Sequence, residues 1–307
     1  MPALRCQPLF VFMFLSLPVL LPAQANSSAR SVSWLDSFAL AASSTVARTE
    51  NISRTFNAPN RKDATTYDVT VNGGTRRQVS GDTMLGLAAD VGAVWEPSFD
   101  RNNRSFFGAR TNAQLKFGLG PFAPVLQGDI GLTYQATRLG SARGITTDCG
   151  LRASKRIHPA VRMSVFARWT DHAARSPTFD TTQFTSGIDV TWDFAEQWSL
   201  SASAGWQDGD VVANASPLVW AAALADVGNP RATHYYRSVD REVTELYGPG
   251  WVSYKNDVRT DLWSAALGYR ASTGLTLELR LSGLYVVNRV DASYPSRSWG
   301  LSASWHF

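Results

Sequence analysis

The residues best able to do chemistry are one histidine and three aspartates near the ends of predicted strands. His172 directly follows Asp171, and Asp208 and Asp210 lie two residues apart. Aspartates at positions i and i+2 of a strand share a face and can orient an attacking water for which a histidine is the base. Adjacent residues on a strand point to opposite faces, so Asp171 and His172 separate if the strand continues through them. These four residues are the candidate catalytic set of a hydrolase acting on peptides or lipids.

The rest of the sequence offers little else for catalysis. His158 and His306 lie in a predicted turn and at the end of the last predicted strand. No metal-ligand spacing and no glycine-rich phosphate loop is present, so the sequence predicts neither a metal nor a cofactor. The whole pattern favours a task without catalysis.

The N-terminus has the three parts of a secretory signal peptide. Arg5 precedes an apolar stretch from Leu9 to Leu21, and Ala23-Gln24-Ala25 forms a small-residue cleavage site. The apolar stretch is too short for a membrane-spanning helix. We therefore expect a cleaved leader over residues 1–25 and one mature domain over residues 26–307. The formal net charge of +4 is too small to indicate a nucleic-acid partner.

Apolar and polar residues alternate along much of the predicted mature chain. From Trp198 to Trp206 every even position is apolar or aromatic, and every odd position is serine or glycine. The segments from Leu275 to Leu281 and from Trp299 to Phe307 alternate in the same way. A period of two is typical of β-strands with two unlike faces.

Two features favour a barrel in lipid over a soluble periplasmic β-sandwich, which alternates too. The apolar faces carry aromatic residues at their ends, namely Trp198 with Trp206 and Trp299 with Trp305 and Phe307. The predicted strands are also longer than those of soluble sheets. The predicted fold is therefore an all-β, transmembrane, antiparallel up-and-down barrel of about twelve strands, with ten to fourteen possible.

Twelve strands are predicted, with tight turns on the periplasmic side and longer loops outside. The strands are 33–46, 63–72, 82–95, 105–118, 124–138, 145–156, 160–171, 181–194, 197–210, 257–270, 274–289 and 297–307. Asn72-Gly73-Gly74 is interpreted as a turn. The longest extracellular loop, 211–256, contains a predicted short helix from Ser216 to Asp226, which either constricts the barrel mouth or packs under neighbouring loops.

The polar face of each strand predicts the lining of the lumen. The candidate lining residues are Arg110, Asp129, Asp148, Arg152, Arg156, Arg162, Arg168, Asp189, Asp193, Glu278 and Arg280, together with Asp68, Asp90, Lys116 and Arg270. Acids and bases are nearly balanced in number, so we expect ion pairs across the lumen rather than an open pore selective for one charge.

The final 11 residues resemble the C-terminal strand of many bacterial outer-membrane proteins, which also alternates and ends in phenylalanine. This resemblance implies recognition by the barrel-assembly machinery and a place in the outer membrane of a Gram-negative cell, in contact with lipid and lipopolysaccharide. The chain is also similar, in strand count and in Arg152, Arg156, Arg162 and Arg168, to twelve-stranded barrels with arginine-lined lumens that conduct acidic oligosaccharides.

The long loop is rich in aromatic residues. Tyr235-Tyr236-Arg237 and the segment from Tyr247 to Tyr254 lie within it. Exposed aromatics can stack on a glycan or dock a surface protein, and they can also serve to order the loop itself. The sequence thus predicts a narrow pore or a structural or assembly component, with an outer-membrane hydrolase as the alternative.

Overall fold

A computed structural model describes residues 38–219, 221, 239–240, 244–288 and 293–307. The predicted leader and residues 33–37 of the first predicted strand lie outside these ranges. Within them, twelve long strands and one two-residue strand, β10, form a single antiparallel sheet. Their bounds are β1 Ala39–Thr49, β2 Ala64–Gln78, β3 Thr83–Trp95, β4 Arg104–Lys116, β5 Val125–Thr137, β6 Gly144–His158, β7 Val161–Ala174, β8 Thr181–Trp192, β9 Trp198–Ala215, β10 Val239–Asp240, β11 Val252–Arg270, β12 Leu275–Asn288 and β13 Ser293–His306.

The sheet closes on itself into a barrel. Each long strand pairs with its neighbours in the chain, β9 pairs with β11, and β13 pairs with β1. The predicted fold class and number of strands are confirmed. Within the described residues, no helix is long and apolar enough to cross a membrane.

Several strands extend further than predicted. Asn72-Gly73-Gly74 is not a turn, because β2 continues to Gln78 and pairs Gly73 with Leu40 of β1. β9 runs to Ala215 and β11 begins at Val252, so the long loop is 216–251 rather than 211–256. Residues 217–219 and 221 are helical, as predicted, and positions 220 and 222–226 of the predicted helix lie outside the described residues. A second helical turn, α1, covers Thr244–Tyr247.

The pairing register places the alternating residues on two faces. Large apolar side chains face outward and are exposed there, as are the aromatics Trp198, Trp206, Trp299, Trp305 and Phe307. Polar and small side chains face the lumen. An apolar outer band with aromatics at its edges is the surface expected of a barrel that contacts lipid.

The two ends of the barrel differ. The turn end carries both ends of the described sheet, at Ala39 and His306, and five connections, four of which have at most five residues, such as 159–160. The loop end carries longer connections, among them 50–63, 96–103 and 216–251.

Candidate functional site in the barrel lumen

Four alternating charges form a cluster halfway along the wall made by β4 to β7. Arg168 contacts Asp129 at 2.9 Å and is also ion-paired with Asp148, while Arg110 lies 3.3 Å from Asp148 and 4.0 Å from Asp129. Each carboxylate is about nine-tenths buried and bridges two arginines. We call these residues the charge quartet. Buried carboxylates need such partners, because burial without them costs several kcal/mol.

Glycines on neighbouring strands make room for the quartet. Asp129 and Gly150 face each other across β5 and β6, and so do Gly131 and Asp148. A Cβ added to Gly150 lies only 2.7 Å from an Asp129 oxygen, and one added to Gly131 meets the Asp148 carboxylate. In each of the two Asp-x-Gly segments, the glycine therefore leaves space for the aspartate of the other segment. The sequence contains this repeated motif, but the sequence analysis did not identify its role.

The other predicted lining residues lie mostly on the inward faces, and many form pairs. Arg152 is ion-paired with Asp189 and lies 5.3 Å from the centre of the Phe166 ring. Arg280 contacts Glu278 at 2.8 Å. Asp193 differs, because β8 ends at Trp192 and places Asp193 in the following turn.

The charges balance in number but not in position. A cavity of about 660 Å³ lies at the turn end of the lumen. The charged residues lining it are Arg76, Lys116, Arg152, Lys155, Arg156, Arg162, Arg280 and Asp189. Lys155 belongs to the outward face of β6 by register, so six cations and one carboxylate face this cavity, which we call the vestibule. Arg76 was missed from the sequence because β2 was predicted to end at residue 72.

Small hydroxyl side chains cover the wall opposite the quartet. The inward positions of β9, β11 and β13 include Ser201, Ser203, Ser264, Ser298 and Ser302. The Oγ atoms of Ser203 and Ser264 lie 2.8 Å apart. Because serine is small, this serine wall leaves the lumen open beside the larger charged residues.

The loop between β1 and β2 packs into the loop end of the lumen. This loop, residues 50–63, folds inward, and we call it the plug. Phe56 packs against inward residues of β9, β11 and β12, among them Val211, Val258 and Val286, and its ring centre lies 4.9 Å from that of Tyr294. The sequence predicted the loop but not its inward course, and it assigned a possible constriction to the 211–256 loop.

The plug is held together by its own hydrogen bonds. Asn51 adopts a left-handed conformation with φ of 55°, which asparagine tolerates better than most residues. Its Oδ1 accepts hydrogen bonds from Thr55 N at 3.1 Å and from Ser53 Oγ at 3.2 Å. All three side chains are at most 2% exposed. The plug is therefore a folded unit rather than a loose connection.

The wall behind the plug has polar atoms that the plug does not satisfy. Asn256 Nδ2 and Thr260 Oγ1, on the inward face of β11, have no hydrogen-bond partner among the described residues. Both residues are at most 3% exposed. Such buried polar atoms reduce the stability of the plugged arrangement.

Tyr247, Phe99 and Glu96 connect the plug to the 216–251 and 96–103 loops, and we call this group of contacts the clasp. Tyr247 of α1 donates a hydrogen bond to Ile52 O of the plug at 3.4 Å, and its ring lies 5.1 Å from that of Phe99. In the same 96–103 loop, Glu96 is 4% exposed and accepts a hydrogen bond from Asn102 Nδ2 at 2.8 Å. Burial raises the pKa of Glu96, and the Asn102 hydrogen bond and the nearby Arg104 and Arg54 oppose this shift only in part.

The clasp should therefore loosen as the pH rises. The raised pKa means that the folded loop binds the Glu96 proton more tightly than an unfolded loop does, so the packing is most stable below the ordinary value of 4.5 and loses stability as the pH rises through the raised pKa. We expect hydrogen exchange at residues 244–251 to become faster, relative to the intrinsic rate, over this range. In Glu96→Gln the change should vanish; a pH dependence that persists would assign it to another group.

The candidate catalytic residues do not come together. β7 continues to Ala174, so His172 faces inward, where Nδ1 lies 2.8 Å from Thr146 Oγ1. Asp171, Asp208 and Asp210 have the outward register; Asp171 Oδ1 accepts a hydrogen bond from Thr182 Oγ1 at 2.6 Å. The histidine and the carboxylates therefore lie on opposite sides of the wall. Among the described residues, no group of three or more potential metal ligands is close enough to hold an ion.

Comparison with known proteins places the fold. No known family matches the sequence, and no curated protein matches it. An outer membrane channel from Pseudomonas putida F1 has 8% sequence identity and a TM-score of 0.53, covering 92% of this chain and 100% of that one. The translocator domain of the autotransporter NalP from Neisseria meningitidis has 10% identity and a TM-score of 0.39 over 88% of each chain.

The outer membrane channel DcaP of Acinetobacter baumannii has 9% identity and a TM-score of 0.40, covering 88% of this chain and 96% of that one. The likeness to the Pseudomonas putida channel, at a TM-score above 0.5, shows that the chain has the fold of bacterial outer-membrane β-barrel proteins.

Proposed function

We propose that this protein is an outer-membrane channel for small hydrophilic solutes that the plug closes at the loop end. One observation carries the proposal: the lumen contains a polar cavity of about 660 Å³ at its turn end, while the plug occupies its loop end. A barrel that served only as a scaffold gains nothing from this cavity. Twelve strands lie between the eight-stranded barrels filled by side chains and the sixteen-stranded barrels with a wide aqueous channel.

The inward positions of β9 between the vestibule and the plug carry few side-chain atoms. The vestibule reaches Ser203, and the apolar cluster under the plug begins at Val211. Between them the inward positions are Gly205, Gln207 and Gly209, two of which have no side chain. We infer that the plug, rather than these positions, obstructs this side of the lumen.

The outer surface supports a place in the outer membrane. Strands of about 12 residues tilted by about 40° span roughly 30 Å, the thickness of the hydrocarbon core. The exposed aromatics Trp206 and Trp299 lie towards the loop end, and Trp198 and Trp305 towards the turn end. In this arrangement the partners are lipid and lipopolysaccharide on the outer face, and the assembly machinery at the strand that ends in Phe307.

The proposal predicts that a charge at position 56, where the plug packs against the barrel wall, opens the channel. In Phe56→Asp a carboxylate replaces the ring that packs against Tyr294 and the apolar cluster, and it must leave that site to remain hydrated. We expect conductance in planar bilayers to increase several-fold over that of the unmodified protein.

Leu218→Asp is the matched control, because Leu218 is 84% exposed at the same end and should not change the conductance. Heat-modifiable migration on gels shows that each variant forms a closed barrel. If folded Phe56→Asp conducts no better than the control, the plugged-channel function is wrong.

A further inference from the structure

We propose that the vestibule is a binding site for a small multivalent anion that carries phosphate or carboxylate groups. The inference rests on the proposed channel function, because it names the class of solute that the lumen accepts. It starts from the unequal distribution of charge along the lumen. The quartet neutralises its two arginines at mid-height, whereas the vestibule keeps a surplus of cations.

The side chains of two vestibule cations have no partner among the described residues. Lys116 is the last residue of β4 and Arg162 the second of β7, and neither side chain forms a hydrogen bond or an ion pair with a described residue. The only carboxylate among the described lining residues, Asp189, is already ion-paired with Arg152. The positive charge of Lys116 and Arg162 is therefore available to a ligand.

Two arginines directly oppose each other in the vestibule. Arg156 of β6 and Arg162 of β7 are cross-strand partners on the same inward face. Like charges at such a pair of positions destabilise a sheet, because their Cβ atoms lie about 5 Å apart. Arg156 relieves part of this repulsion by donating a hydrogen bond to Pro159 O at 2.6 Å. An anion between the two guanidinium groups removes the rest, and each planar group can donate two hydrogen bonds to it.

Hydroxyl groups complete the lining. Ser154 and Ser164, which oppose each other on β6 and β7, lie one inward position above this arginine pair, and Thr191 follows on β8. Hydroxyl groups can donate hydrogen bonds to phosphate or carboxylate oxygens, while the cations of the vestibule balance the charge of the ligand. Among the described residues that line the vestibule, the apolar ones are Pro121, Ala123, Val125 and Ala202, and all the others are polar or charged, so the lining favours a charged ligand over an apolar one.

The test measures binding to the full chain in detergent micelles, with pyrophosphate and citrate as probes and glycerol as the uncharged comparison. Binding of pyrophosphate tests for recognition of phosphate groups, and binding of citrate tests for recognition of carboxylate groups. We expect at least one anion to bind, to raise the melting temperature and to weaken with salt. The double variant Lys116→Glu, Arg162→Glu should bind about 100-fold more weakly, roughly tenfold for each charge.

Arg77→Glu is the control, because Arg77 neighbours Arg76 but has the outward register. It should leave the affinity unchanged. If the double variant does not fold, Lys116→Gln, Arg162→Gln replaces it. Absence of binding by both anions, or equal affinity in the variant and the control, overturns the anion site. Binding does not require conduction, so a vestibule that binds anions in a barrel that never conducts would refute the channel alone.

Discussion

Deleting residues 52–61 is expected to convert the closed barrel into an open channel, with conductance roughly tenfold higher or more. β1 and β2 remain paired up to Thr49 and Ala64, so the deletion leaves Glu50, Asn51, Lys62 and Asp63 as a four-residue connection. Loops of this length commonly join two antiparallel strands. The deletion also removes Phe56 from the apolar cluster at the loop end. Planar-bilayer recordings with the full chain and the shortened chain measure the difference.

The deletion result separates a plug from a permanent part of the barrel core. Heat-modifiable migration must be retained, since a barrel that fails to close says nothing about conductance. Passage of neutral solutes of increasing size, measured by liposome swelling, should then report the width of the serine-lined route. A folded deletion variant that still does not conduct would show that another part of the lumen closes it, and the plug would lose its assigned role.

The second large effect concerns the quartet: Asp148→Asn is expected to destabilise the barrel by about 2 kcal/mol. Asp148 bridges Arg110 and Arg168, and an amide of the same shape cannot balance their charges. Removing one partner of a buried ion pair costs about 3–5 kcal/mol. The arginine side chains are 36% and 46% exposed, so solvent reduces that cost. The midpoint of unfolding in urea, followed by the loss of heat-modifiable migration, measures the change.

A matched variant on the outer face provides the comparison. Asp261 lies 3.8 Å from Arg259, and both side chains are more than 60% exposed. Asp261→Asn should therefore cost less than about 1 kcal/mol. Combining Asp148→Asn with Arg168→Gln should recover part of the loss, because the second substitution removes an arginine left with too little negative charge. If Asp148→Asn and Asp261→Asn shift the midpoint equally, the quartet does not stabilise the barrel.

The sequence was most informative where a single period governs both faces of a strand. In β13, Trp299 and Trp305 alternate with Ser298 and Ser302, and the structure places the aromatics outside and the serines inside. Strand ends were less predictable. β2 continues through Gly73 and Gly74 because neighbouring strands supply the pairing partners that the local sequence does not reveal.

The lumen shows the same division between local pattern and tertiary contact. Alternation predicts the inward register of Arg152 and Arg162. It does not predict that Arg152 forms an ion pair with Asp189, or that no described carboxylate forms an ion pair with Arg162. Because the acidic and basic residues predicted to line the lumen are nearly equal in number, the sequence predicted ion pairs along its whole length. Ion pairing depends on height along the barrel, which register and strand tilt determine.

The four residues with the most evident chemistry illustrate the limit of reading spacing alone. Asp208 and Asp210 do share a face, as their spacing requires, but His172 lies on the other side of the wall. Continuation of β7 past His172 decides this, and it depends on pairing with β6 and β8. The spacing of two residues therefore predicted a shared face but not a shared site.

By itself, the sequence determined that this chain forms a β-barrel with an apolar exterior, because alternation along each strand specifies both faces locally. Only the tertiary structure decided that Phe56 of the first loop reaches Tyr294 at the loop end of the lumen, since this contact joins residues more than 200 positions apart. It also decided where charge is neutralised and where it remains. Both outcomes depend on which strands become neighbours around the barrel, and no local pattern encodes that information.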